Sequence, residues 1–396
     1  MSEWQTFCLK DLGKIVGGAT PSTNNPKNYG NKIAWITPKD LSTLQGRYIK
    51  KGSHSISRLG FKSCSCVLLP KHAILFSSRA PIGYVAIAEK RLCTNQGFKS
   101  IIPNKKIYFE FLYYLLKYHK DNISNIGGGT TFKEVSGATL SLFKVKIPPT
   151  YYEQQKIART LSVLDQKIEN NHKINELLHK ILELLYEQYF VRFDFLDENN
   201  KPYQTSGGKM KFSKELNRLI PNGWSVRFLN HKIVSTYQPK TISKTLLNDS
   251  YSYSVYGGGG IIGRFTEYNH EQSEFIISCR GQCGISYLTL PKSWITGNAM
   301  VIRPTKSYTS KTYLYHTIKK YKLTNYITGS VQPQITRQNL STMPILIPKR
   351  KILNKWNNIS SLLWNLIHNN MQATQTLTAL RDFLLPLLLK QQVKPQ

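Results

Sequence analysis

The sequence predicts an α+β fold in which two similar globular domains and two long helices alternate along one chain. Three observations predict it: a pattern that occurs twice about 200 residues apart, two helical runs with heptad spacing, and short apolar runs between turn-forming residues. A long-period repeat indicates duplicated structural units. Apolar positions spaced alternately by four and three residues indicate helices that pair along a seam. The predicted order is globular domain, helix, globular domain, helix.

The repeat is clearest in a short apolar strand that ends in an arginine. Residues 74–83 are Ile-Leu-Phe-Ser-Ser-Arg-Ala-Pro-Ile-Gly and residues 275–284 are Phe-Ile-Ile-Ser-Cys-Arg-Gly-Gln-Cys-Gly, so Arg79 and Arg280 are 201 positions apart. A polar turn follows in each half, at residues 127–133 and 329–334, and each half then reaches an Ile-Pro pair. This order predicts the same small mixed sheet twice.

A long helix is predicted after each Ile-Pro pair. Thr150 and Glu153 have the spacing of a capping box at the start of the first helix. The first seam consists of Ile157, Leu161, Leu164, Ile168, Asn171, Asn175, Leu178, Leu182 and Leu185. The second consists of Ile352, Trp356, Ile359, Leu363, Leu366, Asn370, Leu377 and Leu380.

Asparagines at the centre of both seams favour pairing of the two helices. A buried asparagine costs stability but fixes register, and two such helices could meet asparagine to asparagine. Antiparallel pairing would give the chain an internal pseudo-two-fold relation. The alternative is that each helix is amphipathic and packs on a separate core.

These features divide the 396 residues into four parts. The first globular domain is predicted over residues 1–149 and the first coiled-coil helical region, a spacer, over residues 150–193. A linker and the second globular domain follow over residues 194–348, and the second helical region covers residues 349–396. A chain of this length can bury a core in each domain.

The chain is strongly basic. It has 54 Lys and Arg against 22 Asp and Glu, a formal charge of +32. This surplus favours a polyanionic partner, with nucleic acid first and an anionic membrane surface second. The first helical run is neutral and the second carries +5, which leaves +27 on the rest of the chain. Two basic domains at a fixed separation suit double-stranded DNA with two half-sites.

Other features favour a cytoplasmic protein. The N-terminal residues lack the apolar core of a signal peptide. No apolar run approaches the ~18 residues of a membrane-spanning helix. The six cysteines have no spacing typical of a secreted disulfide framework, so we expect free thiols.

No motif in the sequence predicts a catalytic, metal or cofactor site in this chain. The glycines at 258, 260 and 263 match the dinucleotide fingerprint formally, but the residues after them do not open a helix. No phosphate-binding GxxxxGK[ST] motif, no Asn-Pro-Pro-Tyr or Asp-Pro-Pro-Tyr motif of adenine methylation, and no acidic nuclease cluster occurs. Cys64-x-Cys66 and Cys279-x-x-x-Cys283 lack the paired spacing of zinc sites.

Basic and amide side chains in the predicted loops are the candidates for DNA contact. Arginine can contact guanine and glutamine can contact adenine in the major groove, whereas lysine and threonine can hold phosphates. The candidates are Lys39, Arg79, Lys99, Thr130, Thr131, Lys133, Arg280, Gln332, Gln334 and Arg337. The alternative for each is a solvated surface residue or a turn former. Arg79 and Arg280, which the repeat shares, could equally be scaffold residues.

Several of these segments resemble one known family. Residues 74–83, Gly129-Thr-Thr-Phe-Lys133, and Ile147-Pro-Pro149 followed by Glu153-Gln-Gln-Lys-Ile-Ala158 are similar to the DNA-specificity (S) subunits of type I restriction–modification systems. With the doubled architecture, the resemblance covers essentially the whole chain. The second half departs from the pattern, because residues 347–353 lack the second proline and the Glu-Gln pair.

The resemblance implies two target recognition domains that read a bipartite site with an unspecified spacer. It implies no chemistry and no cofactor in this chain. The expected partners are double-stranded DNA, two adenine methyltransferase subunits that carry S-adenosylmethionine, and two restriction subunits that carry out ATP- and Mg-dependent translocation and cleavage. It also implies that the helices set the spacer length and form part of the assembly surface. No membrane partner is expected.

Two other functions stay open at this point. One is a stand-alone DNA methyltransferase or nuclease with its own recognition domains, which would need a longer chain and a methyltransferase motif. The other is a coiled-coil adaptor that binds nucleic acid without sequence preference.

Overall fold

A computed structural model describes residues 3–128, 133–248, 251–281, 283–329 and 332–394. The chain forms two compact units. The first consists of residues 1–173 and 370–396, and the second of residues 174–369. The four-part division predicted from the sequence separates the globular domains from the helical regions, whereas these units are defined by compactness and each contains parts of both long helices. The four-part division stays a prediction.

The first unit is built on a five-stranded sheet with strand order β2-β9-β6-β7-β4, next to a three-stranded sheet of order β5-β3-β8 and the antiparallel pair β1-β10. Its strands are β1 Gln5–Cys8, β2 Gly13–Gly17, β3 Tyr29–Ile36, β4 Tyr48–Ile49, β5 His54–Ile56, β6 Ile74–Ser78, β7 Ile82–Ala88, β8 Cys93–Thr94, β9 Lys99–Pro103 and β10 Lys144–Ile147. Every residue of β6 is buried, as expected for a continuous apolar run in the centre of a sheet.

The helices of the first unit close its core. They are α1 Leu9–Leu12, α2 Pro38–Ser42, α3 Arg58–Lys62, α4 Phe109–Tyr118, α5 Lys120–Asn125, α6 Gly137–Leu142 and the first part of α7 Tyr151–Tyr186. The apolar side of α4 packs on β6 and β7. Phe111, Leu115 and the α7 residues Ile157 and Leu161 belong to one buried cluster, so α7 is part of the core of this unit.

The second unit has a four-stranded sheet of order β14-β20-β17-β18, a three-stranded sheet of order β16-β15-β19, and the pairs β11-β12, β13-β23 and β21-β22. Its strands are β11 Met210–Ser213, β12 Arg218–Pro221, β13 Ser225–Phe228, β14 Val234–Tyr237, β15 Tyr253–Gly257, β16 Gly260–Phe265, β17 Phe275–Ser278, β18 Ser286–Leu288, β19 Trp294–Ile295, β20 Ala299–Pro304, β21 Ile327–Thr328, β22 Gln334–Ile335 and β23 Pro344–Ile347. Its helices are α8 Lys311–Lys320 and α9 Arg337–Leu340, and it includes the first part of α10 Arg350–Leu389.

The same backbone hydrogen bonds occur in both units, which confirms the predicted repeat. The amide of Ser78 donates to the Gly97 carbonyl at 2.8 Å, and the amide of Cys279 donates to the Asn298 carbonyl at 3.0 Å. Both donors are 201 positions apart, and so are both acceptors. The two units therefore fold the repeated sequence in the same way.

The two long helices are confirmed. The Glu153 amide donates to the Thr150 hydroxyl at 3.2 Å, and that hydroxyl donates to the Glu153 carboxylate at 3.0 Å, so the predicted cap forms. The last turn of α7 continues as a π-helical turn, Glu187–Val191. No helix in the described part of the chain is long and apolar enough to cross a membrane.

Within each unit the segments of α7 and α10 are antiparallel, and the asparagines of α7 bond to α10. In the first unit the Asn171 side chain donates to the Thr374 hydroxyl at 3.2 Å and to the Asn370 carbonyl at 3.5 Å. In the second unit the Asn175 side chain donates to the Ile367 carbonyl at 3.3 Å. These bonds fix the register through main-chain and hydroxyl acceptors of α10.

The predicted seam is wrong at three positions of α10. Ile359, Leu366 and Leu380 are 38%, 46% and 43% exposed, and the residue after each, Ser360, Ile367 and Arg381, faces inward instead. At two of these positions the cause is polar: Ser360 shares a hydrogen bond with Thr312 of α8 at 2.8 Å, and Arg381 pairs with Asp165 of α7 at 2.7 Å. Buried polar groups with partners therefore replace Ile359 and Leu380 in the interface, whereas the apolar Ile367 replaces Leu366.

The other seam positions are buried or half-buried. The buried ones are Ile157, Leu161, Ile168, Leu182, Ile352 and Trp356. The half-buried ones are Leu164, Asn171, Asn175, Leu178, Leu185, Leu363, Asn370 and Leu377.

Candidate nucleic-acid interface

Each unit presents an arginine at the tip of a hairpin-like turn. In the first unit Arg79 follows β6, and the buried Ser77 hydroxyl holds the turn by donating to the Pro81 carbonyl at 2.8 Å and accepting from the Tyr84 amide at 2.8 Å. In the second unit Arg280 follows β17, and the Ser278 hydroxyl accepts from the Ile285 amide at 2.8 Å. A buried serine thus fixes the turn in both units and leaves the arginine outside.

The first unit brings three charged side chains together beside its turn. Arg79 Nη1 lies 3.6 Å from Glu134 Oε2, and Lys99 Nζ lies 3.3 Å from Glu134 Oε1. About a third of the Arg79 and Glu134 side chains is exposed, and Lys99 is more buried. The structure therefore joins the predicted Arg79 and Lys99 through an acid that the sequence analysis did not single out.

The second unit places Arg280 beside the predicted glutamine. Arg280 and Gln334 form an antiparallel bridge through their backbones, and both are exposed. Gln332 and Arg337 are exposed as well. Arg337 begins α9, because the Thr336 hydroxyl caps this helix by accepting from the Asn339 amide at 3.1 Å.

The remaining candidates of the first unit are less closely grouped. Lys39 is exposed on α2. Lys133 is exposed next to Glu134. Thr130 and Thr131 lie outside the described residues.

A group of buried ions connects the first globular core to the long helices. Arg47 pairs with Glu110 of α4 at 3.0 Å and with Glu169 of α7 at 3.1 Å. Asp165 accepts from the Tyr114 hydroxyl at 2.6 Å and from Arg381 at 2.7 Å. Burial of these partners makes the network costly to break, since a charge left unpaired in the interior destabilises strongly. The network fixes the sheet that carries the Arg79 turn against α7 and α10.

In the second unit neutral groups form the buried part of the same kind of interface. The Tyr186 hydroxyl of α7 donates to the Thr317 hydroxyl at 3.0 Å, and His316 stacks on Tyr186 with ring centroids 5.5 Å apart. The pKa of His316 is lowered to about 3, mainly because the imidazole is buried and secondly because the positive charge of Lys319 lies nearby. The helices are thus attached by buried ion pairs in the first unit, and by a buried aromatic cluster with partly exposed ion pairs from Lys319 to Glu183 and from Lys320 to Glu187 in the second.

Comparison with known proteins identifies the family. Residues 1–180 and 221–377 match the type I restriction modification DNA specificity domain. The chain is 32% identical to the type I restriction enzyme MjaIX specificity subunit of Methanocaldococcus jannaschii, over 98% of this chain and 92% of that protein. This chain belongs to the type I restriction–modification DNA specificity family.

Two further similarities agree with this assignment. A type I restriction enzyme HindI specificity subunit of Haemophilus influenzae is 31% identical over 46% of this chain and 40% of that protein. The crystal structure of a type I restriction-modification S subunit from M. genitalium has a TM-score of 0.61 at 18% identity and covers 98% of this chain and 96% of that chain. That structure shares the fold of this specificity-family chain. Residues 1–180 and residues 221–377, the two stretches that match the family, each contain one arginine turn.

Three residues near the candidate interface were not among the contacts predicted from the sequence. Glu134 follows a glycine-rich stretch of the sequence at residues 127–129, and its distance from the two cations could not be predicted from one sequence. Gln96 accepts a hydrogen bond from the Thr20 hydroxyl and precedes Gly97, whose carbonyl accepts from the Ser78 amide. Gln238 donates to the Cys279 sulfur at 2.9 Å beside Arg280.

The described residues of this chain form neither a cluster suited to a metal ion nor a turn suited to a dinucleotide. Among them, no group of three or more His, Cys, Asp or Glu side chains could hold a metal ion. All six cysteines are free, as expected. The glycines at 258, 260 and 263 lie in the hairpin of β15 and β16, which contains no strand-to-helix turn for a dinucleotide.

Proposed function

We propose that this chain reads a bipartite double-stranded DNA site as the specificity subunit of a type I restriction–modification complex. The observation that carries the proposal is the duplicated arginine turn, held in each unit by a buried serine and surrounded by exposed basic and amide side chains. Two similar but unequal surfaces suit two half-sites of different sequence. The family assignment and the charge of +32 support the same reading.

The candidate contacts divide by chemistry. Lys39, Lys133 and Arg337 are exposed cations suited to phosphates. Arg79, Arg280, Gln332 and Gln334 can reach base edges, because guanidinium and amide groups match the major-groove donors and acceptors. Thr130 and Thr131 are kept as proposed phosphate contacts on sequence grounds alone.

The helices offer a surface for partner subunits. Four apolar residues of α7 in the second unit, Ile174, Leu177, Ile181 and Leu184, are 45–61% exposed and repeat every three or four positions. On α10 Ile359, Leu362 and Leu366 are exposed in the same unit. Apolar residues at this spacing form a stripe, and large exposed apolar patches mark interaction sites. We assign this stripe to the adenine methyltransferase subunits.

The chemistry belongs to those partners in this proposal. We expect two methyltransferase subunits that hold S-adenosylmethionine and two restriction subunits that use ATP and Mg. This chain itself acts without a catalytic group and works in the cytoplasm with the DNA it reads. An enzyme with its own recognition domains is the competing function.

The test uses the full chain assembled with its methyltransferase subunits. Selection from a randomised duplex library should return one asymmetric bipartite sequence, and affinity for it should fall steeply with salt because phosphate contacts release counterions. The assembled complex should methylate adenine, whereas this chain without the methyltransferase subunits should not. Methylation by this chain alone, or equal affinity for all duplexes, would reject the proposal.

A further inference from the structure

Glu134 is an acid that pairs with two cations, Arg79 and Lys99, beside the arginine turn. Its backbone is fixed by two hydrogen bonds with Gly128, at 2.9 and 3.1 Å. The next residue, Val135, donates its amide to the Ser78 carbonyl at 3.0 Å, which ties this segment to the strand that precedes Arg79. The carboxylate then reaches both Arg79 and Lys99. Glu134 therefore has a defined position next to the arginine turn.

The second unit has a neutral residue in the equivalent position. The Ile335 amide donates to the Cys279 carbonyl at 3.0 Å, as Val135 does to Ser78, so Gln334 corresponds to Glu134. By the same correspondence Arg280 replaces Arg79. The counterpart of Lys99 is Met300, which is buried. The two units thus share the arginine and differ in its neighbours: a carboxylate with a second cation in one, an amide in the other.

The carboxylate is unfavourable for phosphate binding. Its single negative charge offsets part of the charge of the two cations that would otherwise attract the DNA backbone, and it repels phosphate oxygens at short range. An ionised carboxylate accepts hydrogen bonds and cannot donate them. In the major groove cytosine N4 and adenine N6 are donors, whereas guanine O6 and N7 and thymine O4 are acceptors that an ionised carboxylate cannot bond. Adenine N6 lies beside the N7 acceptor of the same base, which a carboxylate cannot satisfy, so cytosine is the base that suits a carboxylate best.

The amide of the second unit has different capabilities. A glutamine side chain both donates and accepts, which matches the N6 donor and N7 acceptor of adenine. Gln334 is exposed beside Arg280 and its backbone is held in the bridge with that residue. The position is therefore fixed in both units while its hydrogen-bonding character changes.

We propose that residues 134 and 334 are equivalent base-reading positions, one in each half of the site. Glu134, oriented by Arg79 and Lys99, accepts a hydrogen bond from cytosine N4 in one half-site. Gln334 contacts adenine in the other. This inference rests on the proposed function, because it requires both units to bind DNA.

The experiment compares three variants of the full chain in the complex with methyltransferase subunits. Glu134→Gln and Gln334→Glu exchange the two side chains, and Glu198→Gln removes one exposed acid from the segment after α7 as a charge control. Each complex is used to select from a randomised duplex library, and affinities for the selected and single-base-changed duplexes are measured at one salt concentration. Thermal unfolding checks that each variant is folded.

Glu134→Gln should change the preferred base at one position of one half-site from cytosine to adenine, with a loss of about 5- to 100-fold for the original duplex. Gln334→Glu should change one position of the other half-site in the opposite sense. If Glu134→Gln binds every duplex more tightly, without a change of preferred base and by the same factor as the charge control Glu198→Gln, the inference is overturned and the proposed function stands. A wild-type complex that selects no sequence would remove the proposed function itself.

Discussion

His316 shows how a single buried side chain ties stability to pH. It lies among Tyr186, Tyr315 and Trp356, and its Nε2 has no hydrogen-bond partner among the described residues. His179, Lys319 and Lys320 face it and disfavour a further positive charge. The folded chain therefore keeps this imidazole neutral.

We expect the free energy of unfolding to fall as the pH falls from about 6.5 toward 3. The pKa of His316 is lowered from 6.5 to about 3, so the unfolded chain binds one more proton than the folded chain in this window. The linked loss is at most about 1.4 kcal/mol per pH unit for this histidine. His368, whose pKa burial lowers to about 4, adds to the slope above pH 4.

Denaturant unfolding at several pH values measures this slope. His316→Phe keeps an aromatic ring in the cluster and removes the titrating nitrogen, so its stability should depend less on pH than that of the wild type. His231→Gln changes an exposed histidine and should keep the wild-type slope. If the free energy of unfolding depends on pH equally in His316→Phe and in the wild type, His316 is not the source of the pH dependence.

At the scale of elements, the helices were predictable because they depend on local heptad periodicity, and the repeat was predictable because the same local segments occur twice in the chain. The capping pair at Thr150 and the Ser-Arg turns follow from neighbouring residues, and the structure has them where they were expected. The predicted seam of α10 was wrong at Ile359 and Leu380 because the register there depends on Thr312 and Asp165, polar partners far away in sequence. It was also wrong at Leu366, where the apolar Ile367 is buried instead.

The candidate site was predictable only in part, for the same reason. Arg79 and Lys99 stand out as cations in a repeated segment. Their shared partner Glu134 is 55 and 35 positions away and is brought to them by the bridge with Gly128 and the bond from Val135 to Ser78. Long-range pairing of this kind leaves no periodic signal in a single sequence.

The exposed stripe on α7 leads to a prediction about assembly. Leu177 and Leu184 are 61% and 55% exposed, so replacing both with serine removes little buried area from this chain. We expect Leu177→Ser/Leu184→Ser to change the free energy of unfolding by less than about 0.5 kcal/mol per site. If the stripe binds methyltransferase subunits, affinity for them should fall at least ten-fold, on the order of 1.4 kcal/mol.

Titration of the labelled chain with methyltransferase subunits measures this affinity. Gln166→Ser, an exposed polar position on the same helix, is the matched control and should bind as the wild type does. Unchanged affinity of the double variant would show that the partners bind elsewhere on the chain.

At the scale of the whole molecule, both long helices pass from one compact unit to the other. α7 leaves the first unit after Lys173, and α10 re-enters it at Asn370. Each unit also holds its own helix segments, through Asp165 and Arg381 in the first and Tyr186 and Thr317 in the second. A change at these two crossing points therefore leaves the internal contacts of both units in place.

A four-residue helical insertion after Lys173, matched by one after Asn369, tests whether the helices set the spacing of the two half-sites. Four residues add about 6 Å of helix, close to the rise of two base pairs at ~3.4 Å each. We expect the preferred spacer to change by one or two base pairs while both half-site sequences stay the same, because the reading surfaces are untouched. Mapping the selected or methylated sites measures this directly. An unchanged spacer would mean that the half-site separation is fixed by partner subunits, whereas altered half-sites would mean that the insertion had disturbed the units themselves.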